Sequence, residues 1–515
     1  MYLTQSLHRA VQQQPDAVMT TYADRTRTFR ETADRVARLA GALRDLGVGR
    51  GDRVAILALN SDRYHEYLLA VPWADAVLVP LNIRWSPAEV AYALRDSGAR
   101  VLLVDDAFAP VLPTLRAEVP DLASVVHIGD GPLPEGALAY EGLIAAAEPA
   151  EDVRRGGDAL AGIFYTGGTT GFPKGVMLSH ANLYVSWAGS AASGYLAGAD
   201  SRSLHVAPLF HLAALAAWGV ALMVGASHVI VPAFEPVAVF GAIATHKATD
   251  VLLVPTMIQV LADHPAVVEH DLSSLRGVFY GASPITKPVL ERAMKALPRA
   301  SFAQGYGMTE LSPVATFLSP ADHTDPALMR SAGRAAPHAE VRVTDADGVE
   351  VPNGTVGEVV VRGGHVMLGY WNKPDETAAA LRDGWMRTGD AGYLDDRGYL
   401  FVVDRVKDMI VTGGENVYSV EVENAVAGHP SVAQCAVIGV PDATWGEAVH
   451  AVVVLHPGTT LTLDELRTHT KTLIAGYKAP RGLDIVDALP ISGAGKVLKR
   501  DLRSPHWTNR DRSVN

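Results

Sequence analysis

A chain of 515 residues is longer than one hydrophobic core serves, and ordinary domain sizes imply roughly two to four units. Its composition, 48% hydrophobic and 19% charged, is that of a soluble globular protein, and a formal charge of −12 with no basic run excludes a nucleic-acid partner, whose phosphates demand clustered Lys and Arg. Cys435, the only cysteine, excludes an internal disulfide or a cysteine-based metal cluster.

The N-terminus, Met1-Tyr2-Leu3-Thr4-Gln5-Ser6-Leu7-His8, has neither a charged leader nor an apolar core, so no signal peptide is expected and the cytoplasm is the expected compartment. From Leu7 to about Arg100, helical stretches such as Arg30 to Leu46 alternate with short apolar runs such as Val54 to Ala58 and Val77 to Pro80. That is the βα rhythm of a parallel sheet covered by helices, and it recurs at Val101–Val104, Ser227–Val231, Val251–Val254 and Gly277–Tyr280. The apolar run Leu212 to Ala226 is too short for the roughly 20 residues that cross a bilayer, so it predicts a core helix, with peripheral membrane contact left open. Between about Glu340 and Val403, period-two runs separated by Asp347-Gly348, Asn353-Gly354 and Arg397-Gly398 predict a small antiparallel or barrel-like unit. The charged stretch from Asp404 to Asp408 reads as a hinge, and the residues after it as a compact α+β domain with helices near Ser419 to Ala427 and Leu463 to Ile474. Cys435, flanked by Val432, Ala433, Ala436, Val437 and Ile438, reads as a buried strand residue. A poorly ordered tail is expected from Ser504 to Asn515.

The richest chemistry lies in Tyr165-Thr166-Gly167-Gly168-Thr169-Thr170-Gly171-Phe172-Pro173-Lys174-Gly175, behind the apolar run Ala161 to Phe164. Glycines let backbone N–H groups turn toward an anion, threonine hydroxyls add neutral donors, and Lys174 supplies a mobile positive charge. A P-loop would need Gly-Lys-Ser/Thr, whereas Lys174 stands between Pro173 and Gly175. Gln304-Gly305-Tyr306-Gly307-Met308-Thr309-Glu310 reads as a glycine-punctuated turn offering an aromatic face, a hydroxyl and a carboxylate that suits magnesium. Arg387-Thr388-Gly389-Asp390 reads as a turn whose carboxylate can accept from a ribose diol, and Lys496 follows a Ser492-Gly493-Ala494-Gly495 loop.

In this order the segments resemble the adenylate-forming enzymes, in the acyl-CoA synthetase branch of the superfamily that also holds adenylation domains and luciferases. The likeness runs through nearly the whole chain and includes Asp404 to Asp408 followed by Gly413-Gly414-Glu415-Asn416-Val417-Tyr418. It implies a large N-terminal adenylation domain over residues 1–403, built of two doubly wound α/β subdomains and a β-rich one near 340–403. A hinge at 404–408 and a small mobile C-terminal domain at 409–515 follow. It implies two half-reactions: a carboxylate attacks the α-phosphorus of Mg-ATP to give acyl-adenylate and pyrophosphate, and coenzyme A thiol then displaces AMP. By position, Thr166, Gly167, Gly168, Thr169, Thr170, Gly171 and Lys174 would hold the β- and γ-phosphates, although many relatives carry serine where Gly167 stands. Thr309 would touch the α-phosphate, Glu310 would bind Mg2+, Tyr306 would flank adenine, and Asp390 with Arg405 would hold the ribose. Lys496 would neutralise charge between carboxylate and α-phosphate, and its loop makes it a candidate for acetylation. Lys407 would be the hinge residue, and Gly413, Gly414 and Trp445 would line the coenzyme A channel.

His211 occupies the position that faces the substrate carboxyl in these ligases, where amino-acid adenylation domains carry aspartate, so an amino-acid substrate is not expected. The acyl pocket implied by the resemblance comprises Ala213, Ala217 and Trp218, the latter as its floor, with Tyr280, Gly281, Ala282, Pro313 and Val314 on the other walls. Without a charged side chain among them the acid is an apolar monocarboxylate: a medium to long fatty acid by preference, an aryl or cinnamic acid as the alternative. Transfer to a carrier protein and a catalytically idle nucleotide binder are the further alternatives, and a homodimer is compatible with the family.

Overall fold

Apolar runs that alternate with amphipathic helices can bury both faces of a sheet, and the computed structural model builds two such layers. It describes residues 1–507 except 167–172, 284, 406–407, 413–414, 443 and 493–496, and excepting the side chains of Arg405, Glu415 and Asn416.

In the first sheet Val77–Pro80, Arg53–Leu57, Val101–Val104 and Ser124–His127 run parallel, each filled with buried Val, Leu, Ile or Ala, and Leu160–Thr166 joins them beside Val77–Pro80. Lys174–Ser179 then returns antiparallel to Leu160–Thr166, with Thr166 opposite Lys174. The second sheet has a parallel centre of Ser227–Ile230, Arg202–His205, Asp250–Leu253, Gly277–Gly281 and Ser301–Gly307. Val18–Tyr22, from the start of the chain, adds in parallel to Ser227–Ile230 and brings its hairpin partner Arg25–Thr28. The expected core helix is present as Leu212–Val224, capped by Gly225 in the left-handed conformation. Among the described residues, no helix is long and apolar enough to cross a membrane.

Glu340–Thr344, Gly357–Arg362, Trp385–Leu394 and Leu400–Arg405 form the antiparallel unit. Beyond it, Ile410–Thr412, Val432–Asp442 and Gly446–Leu455 pair antiparallel and Gly482–Ile485 adds in parallel, with the helices Ser419–Ala427 and Leu463–Lys471 packed on this small α+β domain. Cys435 sits on Val432–Asp442, where burial pushes its thiol pKa up and away from reactivity.

The two large layers meet at a buried cluster. His65 on the helix Asp62–Trp73 accepts from Trp218 Nε1 at 2.9 Å through Nδ1, its ring lies 4.8 Å from that of His228, and His228 Nδ1 is 2.9 Å from His205 Nε2.

Candidate active site

The strand ends converge on one edge of the second sheet, where open α/β layers place their ligands. Two expectations of turns are corrected here. Gln304 to Gly307 continues the strand Ser301–Gly307, and the chain leaves it only at the short 3-10 turn Thr309–Leu311. The glycines serve close packing in an extended backbone: a Cβ on Gly305 would stand 2.6 Å from Phe279 Cζ, and one on Gly281 would stand 2.2 Å from the Gly305 carbonyl oxygen. Asp390 likewise lies inside the strand Trp385–Leu394, opposite Arg405, and Gly389 at φ +70° supplies the local kink.

Tyr306 donates its phenol to Asp390 Oδ2 at 2.7 Å, so two segments 84 residues apart become one surface. The Asp390 carboxylate is buried, and its backbone N–H is held by Thr388 Oγ1 at 3.1 Å while the Thr388 hydroxyl donates to the Val359 carbonyl. Glu310, 6% exposed, accepts from Tyr370 Oη at 2.8 Å. The Lys174 ammonium sits 5.0 Å over the Tyr370 ring. Tyr370 therefore links the foot of the glycine and threonine loop to the proposed magnesium carboxylate. Burial, and then proximity to Glu310, push its own pKa up, so it stays a neutral donor. Among the described residues no cationic side chain pairs with Glu310. The buried Glu310 carboxylate, partnered by a neutral hydroxyl, offers oxygen donors of the kind that Mg2+ takes.

The strand before the loop is fixed from behind: Tyr165 donates to Asp96 Oδ2 at 2.6 Å, and the Gly175 carbonyl accepts from Trp371 N–H at 2.7 Å. Gly167, Gly168, Thr169, Thr170 and Gly171 lie outside the described residues, as do Lys407, Gly413, Gly414 and Lys496 and the side chain of Arg405. Arg84 Nη1 donates to the Ser492 carbonyl at 3.4 Å, which brings the segment leading to residue 496 against the first sheet's edge. Trp445 is 41% exposed, with the Arg481 guanidinium 4.3 Å from its ring.

His211 caps the helix Leu212–Val224, its Nδ1 accepting from Ala213 N–H at 3.3 Å, which assigns the ring proton to Nε2. Ala213 and Ala217 share a helix face, one turn apart. Ala217 borders a narrow cleft, with about 20 Å3 of enclosed space, that is also lined by Tyr195, Leu196, Leu252, Gly277 and Phe279. Of the eight expected pocket residues only Ala217 lines this cleft, and two of the others turn well away from it. Trp218 is 1% exposed and its indole turns into the core against His65 and Trp187, so it lays no floor. Tyr280 is out of phase with Phe279 on the same strand, and its phenol meets His323 Nε2 at 2.9 Å on the opposite sheet face. Gly281 and Ala282, the latter at φ +67°, end that strand, and Val314 pairs with Gly307 after Pro313. Phe279, Phe317 and Tyr195 were missed by sequence reasoning because no motif marks them. Tyr370 and Arg84 were missed as well; the pair Tyr370-Trp371 after Gly369 was the available signal.

The buried Glu310 carboxylate, the Lys174 ammonium over Tyr370 and the Tyr306–Asp390 pair are the residue types that an enzyme acting on a nucleotide brings together. The chain belongs to the AMP-binding enzyme family, whose model matches residues 7–371 and whose C-terminal domain model matches residues 421–496. Within it the chain falls in the acyl-CoA synthetase branch of the adenylate-forming superfamily. It is 41% identical over 496 residues to a feruloyl-CoA synthase of an Amycolatopsis species, covering 96% of this chain and 97% of that one. It is 37% identical over 508 residues to the medium/long-chain-fatty-acid–CoA ligase FadD8 of Mycobacterium tuberculosis, covering 94% of this chain and 86% of that protein. Among solved structures, the anthranilate CoA ligase AuaEII in complex with anthranoyl-AMP superposes with a TM-score of 0.92 at 28% identity, over 98% of this chain and 97% of that one.

Proposed function

We propose that the chain is an AMP-forming acid–thiol ligase that converts an apolar monocarboxylic acid, ATP and coenzyme A into acyl-CoA, AMP and pyrophosphate. Thr166 and Lys174, with the loop between them, grip the β- and γ-phosphates. Thr309 contacts the α-phosphate, Tyr306 flanks the adenine, and Asp390 with Arg405 holds the ribose hydroxyls. Glu310 would hold Mg2+, which would supply positive charge to the triphosphate. His211 orients the acid at the mouth of the cleft. Lys496 neutralises charge as the carboxylate oxygen forms its bond to the α-phosphorus and pyrophosphate leaves. The C-terminal domain then turns about Lys407, from a boundary at 404–408, so that Gly413, Gly414 and Trp445 admit the thiol that displaces AMP.

The observation that carries the substrate reading is the cleft beneath Ala217. On the strand Gly277–Gly281 it runs from Phe279 to Gly277, two residue steps or about 7 Å at ~3.3 Å each. Its walls include no cationic side chain, and Ser203 and Asp250 stand at its far end. Walls without a cationic side chain suit an uncharged tail, and we read the acid as a medium to long fatty acid. An aryl acid of the cinnamate type is the second reading, favoured by rings in edge-to-face contact: Tyr195 with Phe317 at 5.9 Å and Phe279 with Phe317 at 5.9 Å. Pyrophosphate release with Mg-ATP and coenzyme A, measured across saturated fatty acids of graded length, benzoates, cinnamates, malonate and amino acids, tests this. A maximum among aliphatic acids supports the first reading and one among cinnamates the second; a maximum with malonate or an amino acid refutes the apolar pocket.

A further inference from the structure

The C-terminal domain carries a second constellation of ligating groups, made of residues outside every motif of the nucleotide site. Gly446–Leu455 and Gly482–Ile485 run side by side in parallel, with His450 opposite Gly482 and Val452 opposite Asp484. The period of two puts Gly482 and Asp484 on one face of their strand. Gly482 makes room for the imidazole, since a Cβ there would stand 2.2 Å from His450 Nδ1. With that ring seated, His450 Nε2 comes 3.0 Å from Asp484 Oδ2. Beyond the short helix Lys499–Arg503 the chain folds back, the His506 N–H donating to the Arg503 carbonyl at 2.9 Å and Trp507 Nε1 donating to the Gly439 carbonyl at 3.0 Å. This return lays His506 Nε2 3.3 Å from the same Asp484 oxygen, with the two imidazole rings 4.8 Å apart.

We propose that His450, Asp484 and His506 form a binding site for a divalent transition metal of the Zn2+ class, which clasps the C-terminal segment onto the small domain's sheet. One ligand atom from each of the three residues lies within 4.8 Å of the others. Tetrahedral coordination with bonds of about 2.1 Å sets ligand atoms about 3.4 Å apart, so small side-chain adjustments convert the cluster into a coordination sphere with one position left for water. The buried His450 Nε2 has no hydrogen-bond partner among the described residues, because the Asp484 oxygen approaches it away from the line of a good hydrogen bond. A metal between the two would satisfy both. Two imidazoles and one carboxylate favour Zn2+ and its neighbours over Mg2+, which takes oxygen ligands, so this site is chemically separate from the Glu310 carboxylate.

The test uses the untagged full-length protein, stripped with chelator and dialysed against Zn2+ without nucleotide. One Zn2+ per chain is expected, with a rise in Tm and with visible absorption bands of tetrahedral type when Co2+ replaces it. His506→Ala lies outside the sheet, and Asp484→Asn keeps the shape of the side chain; each should weaken Zn2+ binding at least about tenfold and abolish the Tm rise, while circular dichroism reports an intact fold. Absence of stoichiometric Zn2+, or Zn2+ binding equally tight in wild type and both variants, overturns the proposal.

Discussion

Lowering the pH from 7.5 to 5.0 should destabilise this protein through the histidines that join its two large layers. His65, His205 and His228 are enclosed, and burial is the leading reason that His65 and His205 are pushed down to about 3 and His228 well below its ordinary value. Neutral in the folded state and titrating near 6.5 when unfolded, they bind more protons in the unfolded chain between about pH 3 and 6.5. Their contribution is therefore fully present above pH 6.5 and is lost as the pH falls below it. At pH 5.0 each of His65 and His205 removes about 2 kcal/mol, about 4 kcal/mol for the two, a large part of the 5–15 kcal/mol that ordinary domains possess. His180 and His365, lowered to about 4 and about 3 chiefly by burial, act in the same direction. Asp62, buried and held at about 2 by Arg25 and Arg27, contributes stability above 3.8 that is lost only below that value, outside this window. Urea unfolding at pH 7.5 and 5.0 measures the loss, and His205→Gln, less stable at neutral pH, should show a pH-dependent loss smaller by about 2 kcal/mol. An unfolding free energy that is flat over this window, or a variant with the wild-type pH dependence, would refute the reasoning.

Three further outcomes follow from the nucleotide and acid sites. Lys496→Ala should abolish pyrophosphate release while sparing thioester formation from supplied acyl-adenylate; equal loss of both half-reactions would mean that the lysine serves both. Tyr370→Phe keeps the ring beneath Lys174 but removes a hydrogen bond to a buried carboxylate, so kcat/KM for ATP should fall roughly 10- to 100-fold, from about 1.5–3 kcal/mol, with a changed Mg2+ requirement. Unaltered Mg2+ titration curves would separate Tyr370 from the metal. Ala217→Phe should fill the cleft and move the substrate optimum toward shorter acids at unchanged KM for ATP, read from the same acid panel; an unshifted optimum would place the acyl tail elsewhere.

The α/β character, the core helix at Leu212–Val224, the antiparallel unit and the phosphate-loop composition were legible because each is written in neighbouring residues: period two, helical spacing, glycine and threonine enrichment. Glu310, Asp390 and Lys174 stood out for the same reason, as residue types held in short motifs. Local spacing misread Gln304–Gly307 and Asp390 as turns, since glycine marks close backbone packing in a strand as readily as a bend. Tertiary structure alone decided that Val18–Tyr22 pairs with Ser227–Ile230, that Tyr370 stands between Lys174 and Glu310, that Trp218 and Tyr280 turn away from the cleft beside Ala217 while Phe279 faces it, and that His506 returns to His450 and Asp484. Those facts depend on which distant surfaces bury one another, and that choice is made by the summed packing and hydrogen bonding of the whole chain rather than by any segment of it.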